Sequence, residues 1–534
     1  MQFVLTAATL AALPAVAFLD STGPGGFLHV ELRPVALSGH QAPGLARGSL
    51  FQFFGPNPGL SSPVLGAARL DGTGNLAFAA HTTDPASGNQ GVPGLWGRSG
   101  TVLMPLALRG DPAPGTQSTF DSFPNIYFGM TPDLVDGRAL FSASLPGSAT
   151  GLWSDRTGVL ELVALQNQTL PGLPAGAGIH APEGVLVGGG RVVIHADYAV
   201  PGGAPSNERE GFWRDDGQAV ELLIRDGAQA PGCGPGVVFG EANMFAQGSF
   251  DRWDVGSSGR IAFNGFVKGP GVDLEDDEGV WAETAAGLRL VARERDSAPG
   301  AGQNAIFLDG AGLHTFGNAY HAPVQINGAG TVLFGAGLEG VGFDHGDSLW
   351  LHRGGQLELV VKAFSGASSS NADPAPGFPA GTTFQGFGAV RLNAHDEIAF
   401  SGVAGGETGI WWTRAGVLEL VARSGGPVPQ IPQATFSNYG LGLRDLGDSG
   451  SLLYTGGFTG PGIDYTTGQA LFLVLPGLPT QILVRKGQSV EVSAGDLRTV
   501  EAFGTDGPFE AGVVSLKLLF TDGSSGLFTA GLRK

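Results

Sequence analysis

Short strands of alternating apolar and polar character recur along this chain. Leu160–Leu165 (LELVAL), Leu288–Arg293 (LRLVAR), Leu357–Lys362 (LELVVK) and Leu418–Arg423 (LELVAR) share one pattern, and Val220–Arg225 and Leu103–Arg109 are looser copies. A period of two predicts a strand buried on one face. A few residues before each copy stands a second apolar strand that carries an aromatic: Gly94-Leu95-Trp96, Gly151-Leu152-Trp153, Gly211-Phe212-Trp213, Gly279-Val280-Trp281, Ser348-Leu349-Trp350 and Gly409-Ile410-Trp411. Ala470-Leu471-Phe472 and Gly526-Leu527-Phe528 continue the series in degenerate form. The spacing averages about 62 residues, which marks a tandem repeat.

Two turns punctuate each unit. After the Leu-Val-Ala strand comes Ala113-Pro114-Gly115, Leu170-Pro171-Gly172, Ala230-Pro231-Gly232, Ala298-Pro299-Gly300 or Ala375-Pro376-Gly377. Pro presets φ and Gly supplies a positive φ, so Pro-Gly predicts a tight type II turn. Before the Trp strand comes a turn that feeds a strand: Asp71–Phe78, Gly256–Phe263, Asn327–Phe334 and Asn393–Phe400, each spaced x-x-Gly-x-x-Ala-Phe or close to it. With the Phe-rich segment after Pro-Gly (Phe120, Phe384, Phe436) as a fourth strand, each unit predicts one four-stranded sheet. That is the blade of a β-propeller. The last unit stops in its Trp-type strand at Phe528, and the missing Leu-Val-Ala strand stands at the other end, as Val30–Ser38 before Pro43-Gly44. The N-terminal strand is therefore expected to complete the last blade and remove two open edges. The fold class is all-β: a propeller of eight blades of about four antiparallel strands each, with seven left open by the degenerate last units.

Composition agrees with this reading. The chain has 91 Gly and 35 Pro among 534 residues. Both are poor helix formers, at about 1 and 3 kcal/mol per residue, which excludes a mainly helical protein. An apolar share of 42% excludes wholesale disorder. The net charge is −19, with no basic run, so a nucleic-acid partner is not expected. One cysteine, Cys233, excludes an intrachain disulfide. Residues 1–19 are expected to be a signal peptide: 3–19 are apolar and Ala15-Val16-Ala17 has the small-x-small form of a cleavage site, although no Lys or Arg precedes Arg33. Residues 20–534 would then form a single β-propeller domain, with no integral membrane span in the mature chain.

The Asn327–Phe334 and Asn393–Phe400 motifs resemble those of the bacterial exported "choice-of-anchor" tandem-repeat proteins, known by an Asn-x-x-Gly-x-x-Ala-Phe repeat. The likeness runs over nearly the whole chain from about residue 27. It implies export and surface display, and it carries no activity to any residue.

Few residues stand out as chemistry. Gly447-Asp448-Ser449-Gly450 looks like a protease nucleophile segment, but it occupies the slot of Asn327–Gly330 and is expected to be a turn. There is no His-Glu-x-x-His and no phosphate loop. The repeating tryptophans are expected to pack the blades. Trp253 and Trp412 fall outside the repeat and are the candidates for ligand contact. Three hairpin loops share Gly-x-Gly-x-Asp: Gly269–Asp273, Gly340–Asp344 and Gly460–Asp464. The first continues through Glu275, Asp276, Asp277 and Glu278. Hard oxygen ligands on a Gly-rich loop suit Ca²⁺, and the alternative is a solvated acidic tip. No catalytic or cofactor-binding residue is assigned. The functional expectation is a non-enzymatic, exported, monomeric propeller that binds or displays an unknown protein or glycan ligand, secreted or held at the cell envelope. The alternative is a glycan-active hydrolase or lyase with carboxylates at the propeller's central mouth.

Overall fold

A computed structural model describes residues 29–52, 68–86, 91–100, 102–123, 132–200, 209–240, 250–308, 323–340, 343–364 and 371–533. The expected signal peptide at 1–19 lies outside them. The strands form eight antiparallel sheets. We number these as blades in chain order: blade 1 (68–108), blade 2 (133–165), blade 3 (178–225), blade 4 (250–293), blade 5 (325–363), blade 6 (384–423), blade 7 (435–485) and blade 8 (496–533). Blade 6 shows the plan, running from the inner strand outward as Phe384–Leu392, Ile398–Ala404, Glu407–Arg414 and Val417–Arg423. Blades 4 and 5 gain the short strands Val238–Phe239 and Ile306–Phe307, and blade 8 gains Ser489–Ser493. No α-helix occurs among the described residues.

The ring closes as the sequence predicts, with eight blades. His29–Leu37 pairs antiparallel with the last strand of the chain, Pro34 opposite Phe528 and Leu37 opposite Gly526. It is the outer strand of blade 8. Inner strands of blades 8 and 1 touch, so the ring has no gap there.

The Pro-Gly turn, the Phe after it and the Phe of the Ala-Phe pair meet at the tryptophan. The indole Nε1 of Trp96, Trp153, Trp213, Trp281 and Trp411 donates to the carbonyl of Pro43, Pro114, Pro171, Pro231 and Pro376, at 2.9–3.1 Å. Each acceptor belongs to the Pro-Gly turn that leads in from the preceding blade. The Phe after the turn meets the indole edge-on, as in Phe120–Trp153 (5.0 Å, 80°) and Phe384–Trp411 (4.8 Å, 69°). The Phe of the Ala-Phe pair stacks on it across the sheet, as in Phe263–Trp281 (15°) and Phe400–Trp411 (18°). The Gly two residues before the Trp makes room for the ring. A Cβ on Gly151 would stand 2.6 Å from Cη2 of Trp153, and one on Gly409 2.5 Å from that of Trp411. The turn glycine is needed twice over: Gly115 has φ +78°, and its missing Cβ would lie 2.7 Å from Leu162 of the next Leu-Val-Ala strand.

Departures from the pattern follow the same logic. Blade 5 has Ser348 where the others have Gly, and Trp350 donates to Ser348 Oγ (2.7 Å). Its turn glycine, Gly300, stands off, with Leu359 3.9 Å from the Cβ position. Blades 7 and 8 have Phe472 and Phe528 in place of Trp, and the Pro-Gly turn is gone from both; Gln430, φ +63°, takes the turn position before blade 7.

Asn-x-x-Gly turns link neighbouring blades at one end of the ring. Asn327 Oδ1 accepts from Ala329 N and Thr331 N, and its Nδ2 donates to Asn393 O (3.0 Å) in the next blade. Asp71 does the same with Thr73 N and Asn75 N, and reaches Gly137 N at 2.6 Å. Asp448 accepts from Ala394 N (2.7 Å), so the Gly-Asp-Ser-Gly segment is one of these turns, as expected.

Leu32 and Leu37 of the closing strand are buried at 1% and 0% exposure. Leu32→Ala should cost about 2–5 kcal/mol in urea unfolding, and deletion of 27–38 should cause aggregation on light scattering. Gly151→Ala should cost about 1–3 kcal/mol by crowding Trp153.

Candidate functional site

The ring is held at its centre by a polar belt. One register position on the inner strands, two residues before the turn in most blades, carries Arg69, Asp133, Val185, Asp254, Gln325, Arg391 and Asp445 in blades 1 to 7. These side chains reach sideways. Asp133 Oδ2 accepts from Leu186 N (2.7 Å), Asp254 Oδ2 from Ile326 N (2.8 Å), and Gln325 Oε1 from Leu392 N (2.9 Å). Arg69 faces Asp133 at 3.7 Å and Arg391 faces Asp445 at 3.8 Å. Burial pushes the carboxyls of Asp133, Asp254 and Asp445 above the usual range, against the pull of backbone N–H groups and of Arg69 or Arg391. Sequence reading missed this belt, although its signal was present: a polar residue recurs two positions before the Asn-x-x-Gly turn.

The belt breaks between blades 3 and 4, where Val185 has nothing polar to offer. Blades 3 and 4 still pack on each other below it, with Phe212 against Phe250 and Phe263. The seam holds a different set of groups. Glu183 on the inner strand of blade 3 is paired directly with His195, so both side chains leave the same face. His195 packs on Phe212 (4.8 Å) and on Trp253 of blade 4 (5.2 Å). Its Nε2 is buried with no hydrogen-bond partner. Burial lowers its pKa to about 4. Burial raises that of Glu183, and the like charge of Asp197 adds to the rise. Trp253, a candidate from sequence, is thus partly buried beside a histidine that the sequence did not single out.

The other candidates are placed differently. Trp412 is 1% exposed. It is packed between blades 6 and 7, with the Arg414 guanidinium 4.7 Å from its ring. The acidic hairpin does not draw its carboxylates to one point. Asp276 pairs with Arg293 (3.0 Å), Asp273 and Glu275 both reach Arg295, Asp277 is buried, and buried Glu278 accepts from Asn264 (2.6 Å). No group of three or more His, Cys, Asp or Glu placed to hold a metal occurs among the described residues. Residues 341–342 of the second Gly-x-Gly-x-Asp loop lie outside the described residues.

His195 makes the stability depend on pH. Its folded pKa of about 4 lies below the unfolded value of 6.5, so the unfolded chain binds the proton first. Stability should fall as pH drops from 6.5 to 4, by about 3 kcal/mol from this group. Urea unfolding at pH 7 and pH 4 should show a smaller drop in His195→Gln than in the parent.

Comparison with curated proteins finds no match. Among solved structures, the chain is similar to the β-propeller domain of the Trilobed protease from Pyrococcus furiosus (8% identity, TM-score 0.37, covering 79% of this chain and 99% of that one). It is similar to the Dos1 propeller (9%, TM-score 0.36, 93% and 95%) and to polysaccharide lyase Uly1 (10%, TM-score 0.34, 85% and 99%). No described helix is long and apolar enough to cross a membrane. A family model matches residues 29–131 and 70–532, and the chain belongs to that family, one of unknown function designated DUF7453.

Proposed function

We propose that this protein is an exported, non-enzymatic propeller that binds a protein or glycan ligand on one face of its ring, in the secreted or envelope-displayed setting that its repeat motif suggests. The observation that carries this reading is the asymmetry of the two faces. Turns from inner to second strand are short in every blade, and those from third to outer strand are short in blades 1 to 7, as in 136–137, 354–355, 415–416 and 511–512. All connections at the opposite end vary, and the long ones fall there: 38–67 into blade 1, 109–132 into blade 2, 294–324 into blade 5. A rigid scaffold with variation gathered on one face is the usual arrangement of a binding protein.

A second reading keeps an observation of its own. Asp133, Asp254 and Asp445 share one inner register position, have raised pKa values and face Arg69 and Arg391. Carboxyls of this kind suit a glycan-active hydrolase or lyase. Their hydrogen bonds to neighbouring backbones favour the structural role.

The full chain should be screened on a glycan and protein array beside a hydrolase and lyase panel. Tyr465 and Leu274 lie on the variable face, at 89% and 46% exposure, while Val159 and Val417 lie at the short turns, at 71% and 57%. Binding should fall at least tenfold in Tyr465→Ser or Leu274→Ser and stay unchanged in Val159→Ser and Val417→Ser. Loss in the latter pair would contradict the reading. Turnover abolished by Asp254→Asn would establish the enzyme instead.

A further inference from the structure

We propose that the seam between blades 3 and 4 is a binding site for a primary ammonium group, built from Glu183, His195 and Trp253.

Four independent features meet at this seam. The belt is interrupted at Val185, which takes the register position that carries a polar residue in blades 1, 2 and 4 to 7. His195 Nε2 is buried without a hydrogen-bond partner. The Glu183 carboxyl opposite it has no hydrogen bond or cation among the described residues, only the like charge of Asp197 nearby. Among the described residues twelve non-glycines have a positive φ, and only Ala181 (φ 38°) and Arg252 (φ 49°) of these lie inside strands. Each marks a β-bulge on one of the two inner strands that flank the seam, two residues before Glu183 and one before Trp253. Bulges re-aim side chains, and such strain persists where the surrounding structure holds it for a purpose.

The groups present select the ligand. A carboxylate accepts hydrogen bonds only, and a neutral imidazole accepts through its unprotonated nitrogen. An ammonium group brings three N–H donors and no acceptor. Its charge relieves the repulsion between Glu183 and Asp197, which a neutral polyol would leave in place. The Trp253 ring adds an aromatic wall, which attracts cations. The net charge of −19 favours the approach of a cation. A divalent metal is the poorer fit, because no three ligating side chains converge here among the described residues.

Primary ammonium groups occur on lysine side chains and on amino sugars, and the test separates them. The full chain, labelled with ¹⁵N-histidine, is titrated at pH 7 with Nα-acetyl-lysine methylamide and with glucosamine, and the His195 imidazole signals are followed, assigned by their loss in His195→Gln. At least one of the two should shift them, with the apparent Kd weakened at least tenfold in Glu183→Gln and by 0.5 M NaCl in the parent. The stronger of the two identifies the source. N-acetylglucosamine and glucose should have no effect. No shift with either amine, an equal shift with N-acetylglucosamine, or salt-independent binding would overturn the proposal. The salt series needs no variant, so it decides even if Glu183→Gln folds poorly. The inference deepens the binding reading above and rests on it; its failure would leave the effects of Tyr465→Ser and Leu274→Ser on array binding untouched, so the two can fail separately.

Discussion

One hydrogen bond, repeated from blade to blade, organises this ring: an indole N–H given to the carbonyl of a Pro-Gly turn. The turn arrives from the preceding blade, so the bond joins the connection to the sheet that it enters. Around it the other landmarks take their places. The glycine two residues before Trp153 leaves room for the ring, Phe120 closes it edge-on, and the turn glycine Gly115 lies against Leu162. A buried donor without an acceptor would cost about 1–3 kcal/mol, so Trp and turn must change together. They do. Blades 7 and 8 have lost the indole N–H and the Pro-Gly turn alike. Blade 5 keeps its Trp but has Ser348 in the glycine slot, and the donor turns to the serine hydroxyl.

Closure follows from the same arrangement. Each blade leaves its last strand next to the turn that serves the following blade. A ring made this way is complete only if the segment before blade 1 brings both an outer strand and a turn. His29–Leu37 and Pro43-Gly44 bring them, and Trp96 donates to Pro43 as its counterparts do elsewhere. The first blade is therefore held like an internal one.

Much of this was legible in the sequence because each landmark is local and repeats. Trp, Pro-Gly, Asn-x-x-Gly and Ala-Phe announce themselves at a fixed spacing. What failed to read was relational. Trp412 looked like an outlier fit for a ligand. It follows the repeat residue Trp411, and successive strand residues face opposite sides. In a propeller both sides of a sheet are covered by neighbouring blades, so Trp411 packs toward blade 5 and Trp412 toward blade 7. The acidic hairpin read as a concentration of ligands because Arg293 and Arg295, the residues that engage it, come later in the chain. The seam of Glu183 and His195 could not be read, because it depends on a bulge at Ala181 and on a valine where other blades have a polar residue.

The framework of the ring is uniform except in two places: the face with long connections and the seam with a broken belt. Both readings presuppose a continuous ring. Native-state hydrogen exchange measures that continuity most directly. Amides of His29–Leu37 and of blade 1 should be protected to the same level as those of blades 3 to 6, and all should lose protection together as urea is added. Faster exchange in His29–Leu37 and blade 1, with blades 3 to 6 still protected, would contradict a closed ring.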